Sequence, residues 1–276
     1  MNKIGIFGDS FAEHYSLALT AIDKDRPLND EDRKAIRKEF PTWYSTLPYD
    51  VTSYAKGGAD IHYCLKTFLQ HQHKYDKIII VPTAIGRYSL MFNEKTFHCS
   101  NDDTANSFAN EFEANPMMNK MFIAIRNMRK HVFPFVDNRD VLFYELCIAH
   151  MIKVRPDVKI IFAFSPPITN NHILTANPCP GLEVIMKHED RKLYPGIPDL
   201  QSVAKWDARM SHLTTETHLI LKDLITKLLN TNDTYLRIDM IDFNNIIPDS
   251  KRYRVDMHDT IDDWIAYNNI GIDNDR

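Results

Sequence analysis

The chain has 276 residues, and 33 Lys+Arg against 37 Asp+Glu leave a formal charge of −4, which excludes the basic footprint of a nucleic-acid binder. Charged residues at 25% and hydrophobic ones at 44% describe a globular chain that buries a large core, and they exclude a disordered one. The length suits one large domain, or one domain with an appendage.

Eight glycines exclude glycine-rich linkers and repeats, so a close glycine pair carries more meaning here than usual. Cys64, Cys99, Cys147 and Cys179 lie far apart with no C-x-x-C pair, against a zinc ribbon or a disulfide scaffold, and read as reduced, mostly buried thiols. No secretory apolar region follows the first residues, and no run approaches the ~18 apolar residues of a membrane helix. The expectation is a cytoplasmic protein without membrane contact.

In chain order, 3–7 reads K-I-G-I-F and stops at Gly8-Asp9-Ser10, the pattern of a buried strand ending in a loop. A helix is expected over 29–40, and a short one over 42–47. The β-rich run 51–55 leads into Lys56-Gly57-Gly58, after which Ile61, Leu65, Phe68 and Leu69 recur at helical spacing. Ile78 to Val81 form a continuous β-branched run of the central parallel type, stopping at Pro82-Thr83. From 92 to 106 the sequence is polar and punctuated, and two helical patterns follow at about 107–131 and 137–155. This is too long for an ordinary connection and predicts a helical insertion over about 92–156.

A fourth buried strand, V-K-I-I-F-A-F over 158–164, ends at Ser165-Pro166-Pro167. Residues 169–203 are rich in Pro and Asn and predict a long loop. Thr214 or Thr215 then caps a helix running to about Leu229. Residues 235–243 alternate like one more strand, and 252–276 form an acidic tail with one short helix. The alternation of strands and helices predicts an α/β fold: a doubly wound, flavodoxin-like parallel sheet flanked by helices. The expected division is a domain over 1–230 containing the insertion, and an extension over 231–276. Sites in such sheets form at the carboxyl ends of the strands, where Ser10, Gly57-Gly58, Thr83 and Ser165 all fall.

The motifs I-G-I-F-G-D-S-F-A, an expected Trp-containing helix, V-T-S-Y-A-K-G-G-A, Y-D-K-I-I-I-V-x-T and S-H-L-T-x-E-x-H follow in this order. In this the chain resembles the SGNH or GDSL hydrolases, most closely their divergent phage-type members. The resemblance covers about 3–87 and 157–229, and it implies a three-layer α/β/α serine esterase or acylhydrolase without metal or organic cofactor. It implies a small-molecule or glycan ester as substrate, an O-acetyl group for example, and for a phage-encoded member a virion-associated place.

A serine hydroxyl is a weak nucleophile, so an imidazole must take its proton and return it to the leaving group. Ser10 is the candidate nucleophile and His212 the candidate base; Asp207, the nearest carboxylate before His212, would orient the imidazole. The backbone N–H of Ser10 and that of Gly57 or Gly58 form the expected oxyanion hole. The chain departs from the family at two points. The acid normally stands three residues before the histidine, where this chain has Arg209, and the third block lacks the usual Asn, reading Pro82-Thr83-Ala84-Ile85-Gly86-Arg87. Thr83 or Arg87 could donate from the same strand end, although neither follows from the motif; Thr83 is counted to the oxyanion hole, with Asp9 and Arg87 as supporting candidates.

Competing readings exist for each residue. A lone G-D-S is usually a turn, His212 could be a surface histidine beside a helix, and Asp207 could pair with Arg209 or Lys205. Asp256-Met257-His258 is a second Asp/His pair, read as solvated tail. His71-Gln72-His73 lacks an acid or thiol at ligand spacing and reads as a helix end. Ser165 reads as the start of a turn, and Trp206 as a loop anchor. A catalytically weak or inactive binding module, virion-associated or not, is the alternative function. A nucleotide-binding domain is disfavoured because neither glycine-rich phosphate motif occurs.

Overall fold

The computed structural model describes residues 2–12, 42–56, 59–85, 87–92, 95–99, 137–166, 180–193 and 213–245, with 120, 123 and 127 besides. Four strands form a parallel sheet: β1 (Lys3–Gly8), β2 (Asp50–Ser53), β3 (Lys77–Val81) and a strand after the hairpin described below, β6 (Lys159–Ile160). Their spatial order is β2-β1-β3-β6, so the chain leaves β1 toward one side for β2 and crosses to the other for β3. Register is continuous at the centre, with Ile4 to Gly8 of β1 opposite Lys77 to Val81 of β3.

Strand periodicity of two explains the layers. Ile4, Ile6, Ile79 and Val81 face one side, where they pack with Trp43, with Leu182, Ile185 and Met186 of one helix, and with Leu221, Ile225 and Leu228 of another. Phe7, Ile78, Ile80 and Phe162 face the opposite side and meet Ile61, Cys64 and Phe68, together with Tyr144, Cys147, Ile148 and Met151. The helices of the second face are α1 (Ile61–His71) and α2 (Asp137–Val154); those of the first are α3 (Leu182–Leu193) and α4 (Thr215–Leu228). A parallel sheet covered on both faces is the three-layer α/β arrangement expected, and it is why β1 and β3 read as unbroken apolar runs.

Several boundaries differ from the sequence reading. An antiparallel hairpin, β4 (Tyr88–Phe92) with β5 (Lys95–Cys99), straddles the start of the insertion expected over about 92–156, with β4 just before it and β5 within it. Cross-strand pairing stabilises it where local polarity suggested a loop. The fourth strand is short, although the Ile161 N–H still reaches the Ile80 carbonyl and that of Ala163 the Pro82 carbonyl, so the chain keeps company with β3. In place of a strand over 235–243 there is one parallel bridge, Tyr235 beside Ile160, followed by a 3-10 turn at Met240–Phe243 capped by Asp239. The segment 43–46 forms hydrogen-bonded turns and not a helix. Residues 182–193, expected within a long loop, form α3. Their apolar stripe at 182, 185 and 186 is genuine helical spacing, obscured by the flanking Pro and Asn. The helix expected over 29–40 and the tail over 252–276 lie outside the described residues.

Among the described residues no helix is long and apolar enough to cross a membrane. Cys64 and Cys147 are buried free thiols, as the cysteine spacing suggested.

Candidate active site

The strand tips at the carboxyl edge of β1 and β3 carry a connected set of polar contacts. Gly8 ends β1 at φ +145°, and a Cβ there would stand 1.9 Å from the Val81 carbonyl oxygen, so only glycine fits. That conformation turns Asp9 inward, where its N–H donates to the same Val81 carbonyl at 2.9 Å.

Asp9 is 0% exposed. Its Oδ1 accepts from the Phe11 N–H at 3.3 Å and its Oδ2 from the Thr83 hydroxyl at 2.7 Å. Arg87 Nη1 donates to Asp9 Oδ2 and, at 2.9 Å, to Thr83 Oγ1. A buried carboxylate is tolerable because it is paired and hydrogen-bonded; losing either partner of such a pair costs about 3–5 kcal/mol. The Arg87 guanidinium lies over the Phe164 ring, 4.9 Å from its centroid, and Phe164 meets Phe11 edge-on at 5.7 Å.

Ser10 opens the 3-10 turn Ser10–Ala12 directly after Asp9, so its backbone stands at the tip of β1 as the motif implied. Gly57 and Gly58 lie outside the described residues, but their flanks are placed: the Lys56 N–H donates to the Gly8 carbonyl at 3.0 Å, and that of Ala59 to the Lys56 carbonyl at 3.1 Å. Lys56, the residue before them, therefore stands beside Gly8. His212, Asp207, Arg209, Trp206 and the Asp256/His258 pair also lie outside the described residues.

The chain immediately after His212 is described and leads to the same edge. Leu213 is buried, and Thr214 caps α4 by accepting from the Thr217 N–H. One turn on, His218 Nδ1 accepts from the Trp43 N–H at 3.3 Å, while the Trp43 indole N–H donates to the Phe11 carbonyl at 3.0 Å. Trp43 is fully buried and thus joins the residue after Ser10 to the first turns of the helix that follows Ser211-His212.

Glu189 and Glu183 are among the buried acids that escaped the sequence reading. Glu189, 1% exposed, accepts from the Thr214 N–H at 3.1 Å, from the Thr214 hydroxyl at 2.6 Å and from the Thr217 hydroxyl. A signal existed: Glu189 follows Leu182, Ile185 and Met186 at i+7, an acid on the apolar stripe of its helix. Glu183, also buried, accepts at Oε1 from the Ser165 hydroxyl at 2.7 Å and the Ser165 N–H at 2.9 Å. Ser165 Oγ in turn accepts from the Gly181 N–H at 3.0 Å, so this serine ties the fourth strand to α3.

Burial above all, then the nearby charges of Cys64, Asp9 and Glu183, pushes the Tyr144 hydroxyl well above its ordinary range. It remains protonated behind the strand tips. His71 closes α1, as read, and stacks on Tyr54 at 4.4 Å; burial, Lys74 and His73 hold its imidazole below the usual value. Among the described residues no cluster of His, Cys, Asp or Glu has the makings of a metal site. Comparison with protein-family models, curated proteins and solved structures finds no match.

Proposed function

We propose that the protein is a serine esterase or acylhydrolase built on an SGNH-type three-layer domain. The observation that carries this reading is the Phe11–Trp43–His218 link, which ties the tip bearing Ser10 to the helix entered through His212. The motif order supplies the roles.

In this mechanism His212 takes the Ser10 hydroxyl proton as Oγ bonds to the acyl carbon, and Asp207 holds the imidazole and its developing charge. The backbone N–H groups of Ser10 and of Gly57 or Gly58 stabilise the tetrahedral oxyanion. The bond to the alkoxy group breaks, the proton on His212 passes to that oxygen, and an alcohol leaves an acyl-enzyme at Ser10. Water, deprotonated by His212, then attacks the acyl carbon and releases the acid with Ser10 restored. The substrate class is a small ester or an O-acylated glycan.

Labelling by a serine-directed fluorophosphonate, read by intact mass, tests the proposal. The native protein is expected to gain one adduct, lost in Ser10→Ala and strongly slowed in His212→Ala. Folded native protein that stays unlabelled would leave the alternative, a binding module of the same fold. That alternative is favoured by two sequence observations, Arg209 where the family's acid stands and the third block without its Asn.

A further inference from the structure

The protons at the β3 tip can be distributed in one way. Asp9, as the carboxylate partner of an arginine, only accepts, and the Thr83 hydroxyl spends its single proton on Asp9 Oδ2 at 2.7 Å. Thr83 then accepts from Arg87 Nη1, and the same nitrogen donates to Asp9, so both Nη1 protons are used. Thr83, 2% exposed, has nothing left to donate to a ligand. Arg87 does: Nε and both protons of Nη2 have no partner among the described residues, and none of these atoms is sealed from solvent.

The side chain of Arg87 is 14% exposed against 0% for Asp9, so the bonded edge of the guanidinium faces inward and the unbonded edge outward. Phe164 fixes its plane. Asp9 offsets its charge, which keeps the empty site stable, and the arginine gives up little rotamer freedom when a ligand arrives. A planar fork with adjacent free N–H groups matches the two oxygens of a carboxylate or phosphate.

We propose that the free edge of Arg87 recognises an anionic group, carboxylate or phosphate, that the ligand carries beside its acyl group. Placement beside the acyl group rests on the esterase reading, through the contact of Arg87 with the residue preceding Ser10. The anion site itself does not.

Two readouts separate these. Inorganic phosphate and, separately, succinate are titrated into the full chain while the Arg87 Nε–H resonance is followed; a saturable shift in one or both identifies the group preferred. Binding is expected to vanish in Arg87→Gln and in Asp9→Asn/Arg87→Gln, the second variant avoiding an unpaired buried carboxylate. The kcat/KM ratio of mono-4-nitrophenyl succinate to 4-nitrophenyl butyrate is then expected to fall roughly 10- to 100-fold in the same variants. Absence of any shift in the native protein, binding that survives both variants, an unchanged ratio in an active esterase, or an equal loss on both esters each overturns the proposal. Arg87-dependent binding by a protein that cleaves neither ester upholds the anion site while the esterase reading fails.

Discussion

Replacing Glu189 by Ala tests whether one buried carboxylate organises the entrance to α4. The carboxylate accepts one backbone and two hydroxyl hydrogen bonds from Thr214 and Thr217, and it is 1% exposed, so no water replaces it in the folded protein. Hydrogen bonds to a charged group contribute about 1.5–3 kcal/mol each and do not simply add. The threonine hydroxyls can rotate toward other acceptors, whereas the Thr214 N–H cannot. One bond lost outright, two lost in part and a cavity left behind amount to about 3–5 kcal/mol. With a urea slope of about 3 kcal/mol/M for a chain of this size, the midpoint should fall by roughly 1–1.7 M. Glu189→Gln keeps the shape but turns one acceptor into a donor facing other donors, and it should cost about half as much. Urea unfolding followed by circular dichroism and by tryptophan fluorescence gives the midpoint. Amide exchange at Thr217 and His218 reports whether the first turn of α4 frays. A loss below about 1 kcal/mol with unchanged protection there would show instead that the carboxylate is replaceable.

Gly8→Ala should be severely destabilised, by about 3 kcal/mol or more, because it combines positive φ with a Cβ placed on the Val81 carbonyl; a melting temperature within a few degrees of the native one would contradict this. The Tyr75 hydroxyl, bonded at 2.8 Å, raises Tyr54 to about 12, with burial and the charge of Tyr75 adding. A raised phenol pKa means that the folded state holds the proton more tightly, so this stabilisation is complete below about pH 10 and is lost as pH climbs toward 12. Absorbance of tyrosinate at 295 nm should show a late step that disappears in Tyr54→Phe. Burial, followed by the charges of Cys147, Asp60 and Asp9, pushes the Cys64 thiol far up, and burial with Asp60 brings Cys147 to about 11. Iodoacetamide at pH 8 should therefore spare both cysteines in the native protein and modify both in urea, as peptide mapping would show; rapid native alkylation of either would mean that the α1–α2 layer opens.

Much of the frame was legible without coordinates. I-G-I-F and I-I-I-V are buried on both sides, and a run with no polar alternation has few folds open to it besides a central parallel strand. The helix Thr215–Leu228 was equally readable from its capping threonine, but the stripe read as Leu219, Ile220, Leu224, Ile225 and Leu228 was only partly right: the buried face runs through Leu221, Ile225 and Leu228, and Leu219 is exposed. Segments whose structure depends on a distant partner were read less well. The second strand of the hairpin, Lys95–Cys99, fell in the stretch 92–106 that looked polar and punctuated, because pairing with Tyr88–Phe92 and not local hydrophobicity defines it. Residues 235–243 alternate as a strand does, yet only Tyr235 finds a partner, at Ile160.

The site divides along the same line. That Gly8, Asp9 and Ser10 follow the first buried strand and Thr83 the third is legible in local residue types, where strand ends and turns are written. Tertiary structure alone decided that Asp9 turns inward to Thr83 and Arg87, 74 and 78 residues further along the chain. It likewise decided that Glu189 serves Thr214, 25 residues away, and that Trp43 bridges Phe11 and His218. Burial makes the difference: an acid in water needs no partner, whereas an acid enclosed by a core must find donors wherever the fold places them.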